Sequence, residues 1–120
     1  MARERDLHDH FFREAKRNGF RSRAAYKLIE IDDRRKLIVV HRWDRGGPGD
    51  DTLVVLNLST HPVTDYPIAT PHDGWWRLRC NTDAPQFGDG FGAVHVGDIE
   101  ARNGCASVTI GPYAALVFSR

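Results

Sequence analysis

The sequence predicts a mainly β protein: an antiparallel β-sandwich of about six to eight short strands, preceded by two short N-terminal α-helices. Three observations carry this expectation. From Lys36 onward the apolar residues recur with a period near 2 rather than 3.6. The same stretch alternates β-branched and aromatic runs with clusters of Gly, Pro, Asn and Asp. Upstream, apolar residues fall at helical spacing instead. With 120 residues, 41% of them apolar, the chain has room for one domain with a real core and none for a two-domain enzyme.

The first helix is expected over residues 6–18, where Leu7, Phe11, Phe12 and Ala15 form a stripe and Asn18-Gly19 supplies a left-handed cap. Ser22 is placed to cap a second helix over 23–34, with Ala24, Leu28 and Ile31 along one side. Strands are expected at 37–43, 52–59, 75–80, 93–96, 106–110 and 114–118. Turn chemistry separates them at 44–51, 62–71, 72–74, 88–90, 103–104 and 111–112. A seam near 34–38, without any Gly/Ser/Pro spacer, divides the chain into 1–36 and 37–120. The first part carries a net +4 and the second −3.

A whole-chain charge of +1 by itself points to neither nucleic acid nor membrane. Cys80 and Cys105 lack metal-ligand spacing and read as free buried thiols in a reducing compartment, with a disulfide as the alternative. No stretch nears the roughly 20 apolar residues of a membrane span, and the charged start lacks a secretory apolar run. A cytoplasmic location with no membrane partner is the expectation.

Four motifs in order, Val40-His-Arg-Trp-Asp-Arg-Gly-Gly-Pro-Gly-Asp-Asp51, Val54-Val-Leu-Asn-Leu-Ser59, Gly74-Trp-Trp-Arg-Leu-Arg-Cys-Asn-Thr-Asp83 and Val108-Thr-Ile-Gly-Pro-Tyr-Ala-Ala-Leu116, resemble the C-terminal all-β domain of the α-amylase and 1,4-α-glucan branching-enzyme clan. The resemblance covers about 37–120. It implies a non-catalytic accessory role in glycogen or starch metabolism, stabilising a (β/α)₈ catalytic barrel or offering a weak α-glucan surface. Residues 6–36, with Arg21-Ser-Arg-Ala-Ala-Tyr-Lys-Leu28, are similar to the start of the FtsJ-like ribosomal-RNA 2′-O-ribose methyltransferases. There Lys27 would hold a catalytic lysine's position, but the glycine-rich cofactor loop does not follow. The chain thus reads as a chimera with both active sites missing, and no cofactor and no activity of its own are expected.

Alternation on 75–80 sets Trp76, Leu78 and Cys80 on a core face and Trp75, Arg77 and Arg79 on the other. Trp75 with Arg77 is therefore a candidate saccharide contact, against simple packing or an orphaned interface. Trp43 shares a face with Leu37, Val39 and His41 and reads as core, or as a barrel-facing anchor. Phe87 and Phe91 either meet a saccharide or pin their loop to the core. Asp44, Asp50 and Asp51 are explained by turn formation in place of a calcium site, Asn57 by a need for buried backbone partners, and the scattered histidines give no zinc site. Arg21, Arg23 and Lys27 are candidate RNA contacts of weak affinity, the alternative being solvated helix charge. A face left bare by the missing barrel predicts cover by the N-terminal helices or self-association.

Overall fold

The computed structural model describes residues 25–47 and 49–120. Eight strands run in chain order: β1 (Ala25–Asp32), β2 (Leu37–Trp43), β3 (Thr52–Asn57), β4 (Val63–Ala69), β5 (Gly74–Asn81), β6 (Ile99–Ala101), β7 (Cys105–Ile110) and β8 (Ala115–Ser119). A 3₁₀ turn at Pro85–Phe87 follows β5. Six strands form one antiparallel sheet in the order β1-β2-β3-β8-β5-β6, and β4 pairs with β7 in a two-stranded ribbon. The mainly β, antiparallel expectation is met.

Alternation builds the core. Leu37 and Val39 from β2, Leu53 and Val55 from β3, and Leu116 and Phe118 from β8 are buried, and Val63, Tyr66 and Ile68 from β4 and Ala106, Val108 and Ile110 from β7 join them in one cluster. The ribbon is therefore the second layer over the inner face of the large sheet. Trp76 is fully buried and donates its indole N–H to the His72 carbonyl at 3.1 Å, so its polar edge is satisfied inside. Asn57 is equally buried. Its amide donates to the carbonyls of His61 and Gly111, both at 2.9 Å, and its oxygen accepts from Ser59 N–H at 3.0 Å, the backbone partnership the sequence requires.

The helix expected over 23–34 is corrected: residues 25–32 are an edge strand. The reason is a β-bulge between Leu28 and Glu30. Leu28 pairs with Val40 and Ile31 with Ile38, so one inserted residue puts side chains three apart on the same sheet face. That spacing imitates a helical stripe. The 34–38 seam is the β1–β2 hairpin turn, closed by Arg35 N–H on the Asp32 carboxylate at 3.0 Å and by Lys36 in a left-handed conformation at φ 59°. The helix expected over 6–18 lies outside the described residues, as does Ser22.

Two further expectations fail for identifiable reasons. Residues 62–71, read as turn because of their prolines, contain β4. That strand has a single partner, so Pro67 places its missing N–H on an unpaired edge. Residues 93–96 are not a strand. β5 pairs with Ile99–Ala101 instead, and the Asp98 carboxylate accepts the Leu78 N–H at 2.7 Å, where the next ladder bond would form. Asn103-Gly104 is the expected tight turn, both residues at positive φ (54° and 75°), and it carries the chain from the large sheet into the ribbon. Phe118→Ala, in the middle of this core, is expected to cost about 3–5 kcal/mol, read as a lowered urea midpoint with an unchanged slope.

Candidate functional site

The aromatic candidates do not form one patch. Trp75, 54% exposed, lies on β5 opposite Glu100 of β6. Arg77 follows on the same outer face, where its guanidinium donates to Asp98 at 3.1 Å. Hydrogen bonds from Leu78 N–H first and from Arg77 second hold the Asp98 carboxyl below the usual range. Trp43 ends β2, three strands away in the sheet order.

Phe87 and Phe91 are both about half exposed, so neither pins its loop to the core. The loop closes on itself: Gly92, at φ 88°, passes so close to Pro85 that a Cβ there would lie 2.4 Å from the proline ring.

The cysteine expectation also needs correction, because both thiols are free but exposed. A second bulge, between Leu78 and Cys80, inserts Arg79 and moves Cys80 to the outer face opposite Val117. Cys105 opens β7 on that strand's exposed side. Of the RNA candidates, Arg21 and Arg23 lie outside the described residues. Lys27 is exposed on β1, opposite His41, rather than on a helix.

Sequence reasoning missed a buried polar centre. Asp51, 1% exposed, accepts from His41 Nε2 at 2.8 Å, from Gly47 N–H at 2.9 Å and from Arg120 Nε at 3.1 Å, with Arg120 Nη2 a further donor. His72 Nε2 stands 3.6 Å away. Burial alone raises the Asp51 pKa, but hydrogen bonds from Arg120, His41 and Gly47 and the Arg120 charge override it and bring it down to about 2. The signal was present in outline, since His41 lies on the inward stripe of β2 and a buried imidazole needs a partner. The partner comes from a loop that folds back: Asp50 accepts the N–H groups of Asp44, Arg45 and Gly46 at 3.0, 2.8 and 2.5 Å. This is the turn-forming role expected of Asp50, and it delivers Asp51 beneath β2.

His41 stacks on Trp43 with ring centroids 4.4 Å apart and planes at 23°. The two rings form a common wall between two clefts. One, about 490 Å³, is lined beyond them by Arg45, Gly46, Gly47, Asp51, His72 and Arg120. The other, about 480 Å³, is lined by Lys27, Ile29, Ala69, Thr70 and Pro71. The Asp51–His41 pair is turned inward and its carboxylate is already occupied, so it presents no base to a substrate.

The outer face of the large sheet is the other notable surface. Leu28 and Ile31 of β1, Ile38 and Val40 of β2, Val54 and Leu56 of β3 and Val117 of β8 share it by register. Strands of this kind, apolar on both sides, belong between two layers. Only the inner side is covered among the described residues, where no helix is long and apolar enough to cross a membrane.

Residues 29–120 match the family described as "Alpha amylase, C-terminal all-beta domain". A 1,4-alpha-glucan branching enzyme from Novosphingobium aromaticivorans is 33% identical over 93 residues, which are 77% of this chain and 12% of that enzyme. Among solved structures, α-amylase from H. orenii superposes with a TM-score of 0.50 at 18% identity, covering 93% of this chain and 20% of that one. A separate match of 35 residues, 29% of this chain, is 60% identical to ribosomal RNA large subunit methyltransferase E of Rhodopseudomonas palustris and spans 15% of that protein.

Asp51→Ala leaves Arg120 and His41 without their buried partner and is expected to cost about 3–5 kcal/mol. In the intact protein the carboxylate contributes about 2 kcal/mol, from the difference between 3.8 and about 2. Because the folded-state value is the lower one, that stability is complete above about pH 5 and fades as pH falls toward about 2. Urea midpoints measured from pH 6 to pH 2 should show this loss, and Asp51→Ala should lack it.

Proposed function

Because the chain belongs to the family of α-amylase C-terminal all-β domains, we propose that it is a non-catalytic accessory domain of α-glucan metabolism. Its role is to seat a (β/α)₈ catalytic domain on the outer face of its six-stranded sheet. The observation that carries this reading is the two-sided apolar character of β2, β3 and β8: Ile38, Val40, Val54, Leu56 and Val117 stay partly exposed on the side opposite the core. A contiguous apolar face of this kind is costly to leave in water and is what a partner covers. Trp75 and Arg77 sit at the rim of the same face, where they serve as an interface or saccharide contact.

The test uses the purified chain with a separately produced branching enzyme lacking its own C-terminal β-domain. The chain alone is expected to transfer or release no glucosyl units, and on mixing it should raise the thermal midpoint of the truncated enzyme. Val40→Asp and Val54→Asp should abolish that rise. Glucosyl transfer by the chain alone, no rise on mixing, or a rise insensitive to both substitutions would overturn the reading.

A second reading, of a basic fragment with weak RNA affinity, is favoured by the 35-residue likeness to a ribosomal RNA methyltransferase. Its signature is a gel shift weakened by salt and lost when Arg21, Arg23 and Lys27 are replaced by Ala.

A further inference from the structure

We propose that the groove divided by Trp43 is a binding site for a small phosphate ester carried on a ring, a sugar phosphate or a mononucleotide. The ring would lie against the indole, with the phosphate on the Arg45 side of it. This site is distinct from the outer face invoked above, and the two stand or fall separately.

The Trp43 indole borders both clefts, and each volume falls within the range of about 300–1,000 Å³ typical of small-molecule sites. The indole is braced by the His41 ring stacked against it, and His41 is in turn held by Asp51 at 2.8 Å. The platform is therefore set in place before any ligand arrives, and little ordering cost remains to be met on binding.

Among the described residues, the charged side chains that line the two clefts are Lys27, Arg45, Arg120 and Asp51. Asp51 is 1% exposed, with both oxygens engaged by His41, Gly47 and Arg120, so its charge is spent internally. Arg45 and half-exposed His72 face the first cleft and Lys27 the second, with no free side-chain carboxylate among the described lining residues. A neutral saccharide offers hydroxyl groups that donate as well as accept, and for these it finds no free carboxylate among the described lining residues, only the Thr70 hydroxyl and an imidazole nitrogen. A phosphate ester offers acceptor oxygens and negative charge, which this rim complements.

Thr70 adds an independent sign. It lines the second cleft, is buried to 9% exposure, and its hydroxyl has no hydrogen-bond partner among the described residues. An unpaired buried hydroxyl is costly, and a polar ligand group or a water brought in with it would satisfy the atom.

Titration of the full chain with glucose 1-phosphate and with adenosine monophosphate, followed by calorimetry and tryptophan fluorescence, tests the site. Saturable binding of either ester at millimolar or lower concentration is expected, and the stronger of the two identifies the ring. Trp43→Ala and Arg45→Ala should each weaken it by about tenfold or more, while Tyr113→Ala, in an exposed turn that lines neither cleft, should leave it unchanged. Arg45 is exposed in a loop, so its substitution keeps the test valid if Trp43→Ala does not fold. Maltose binding as tightly as the esters, binding indifferent to Arg45→Ala, loss on Tyr113→Ala, or binding of single-stranded RNA but neither ester would each overturn the proposal.

Discussion

A single buried carboxylate decides how the ends of this sheet meet. Asp51 precedes β3, His41 lies on β2, Arg120 is the last residue beyond β8 and His72 leads into β5. The fold brings these separate segments to one point. An ionised carboxylate is tolerable in a dry interior only when its lone pairs are filled, and here a glycine N–H, an imidazole and a guanidinium fill them. The requirement explains the loop before it. Asp50 draws three backbone N–H groups around itself, and the turn this makes drops Asp51 into position. The Arg120 guanidinium also lies 5.8 Å from the centre of the Trp76 ring, so the charged centre and the largest buried aromatic are packed as one unit.

A second tie of similar logic joins the two layers. Tyr66 of the ribbon directs its hydroxyl at Glu30 (2.5 Å) and Asp32 (2.8 Å) on β1. The nearby carboxylates, Glu30 first, and partial burial raise the phenol's pKa, so the hydroxyl keeps its proton as a donor. Asp32 is itself lowered, by Arg35 N–H first and by Tyr66 second. The edge strand is thereby fastened to the ribbon as well as to β2. Its outer residues Leu28 and Ile31 remain on the sheet's open face.

Bulges are the device by which a regular pattern serves an irregular shape. Three interrupt the ladders: at Leu28–Glu30, at Val63–Tyr66 and at Leu78–Cys80. Each shifts side chains by one position and increases local twist. The Val63–Tyr66 bulge, with Asp65 at φ 50°, keeps both apolar residues on the core side of β4. The Leu78–Cys80 bulge does the opposite for Cys80, which leaves the core side. The one at Leu28–Glu30 aligns Leu28 and Ile31 with the open apolar face.

The amino-acid sequence by itself determined the antiparallel β class, the positions of β2, β3, β5, β7 and β8, the burial of Trp76, the satisfied amide of Asn57 and the turn at Asn103-Gly104. Each follows from local chemistry: alternation, β-branching, or a backbone conformation that few residues accept. The tertiary structure alone decided that residues 25–32 are a strand, that β4 exists despite its prolines, and that residues 93–96 are not a strand. It also decided that both thiols face outward. A bulge breaks the period on which such reading depends, and an edge position excuses a proline that a central strand would reject. The Asp51 centre and the Trp43 groove were beyond local reading for the same reason. Their residues come from a strand end, two loops and the segment after β8, and only long-range pairing brings them within hydrogen-bonding reach.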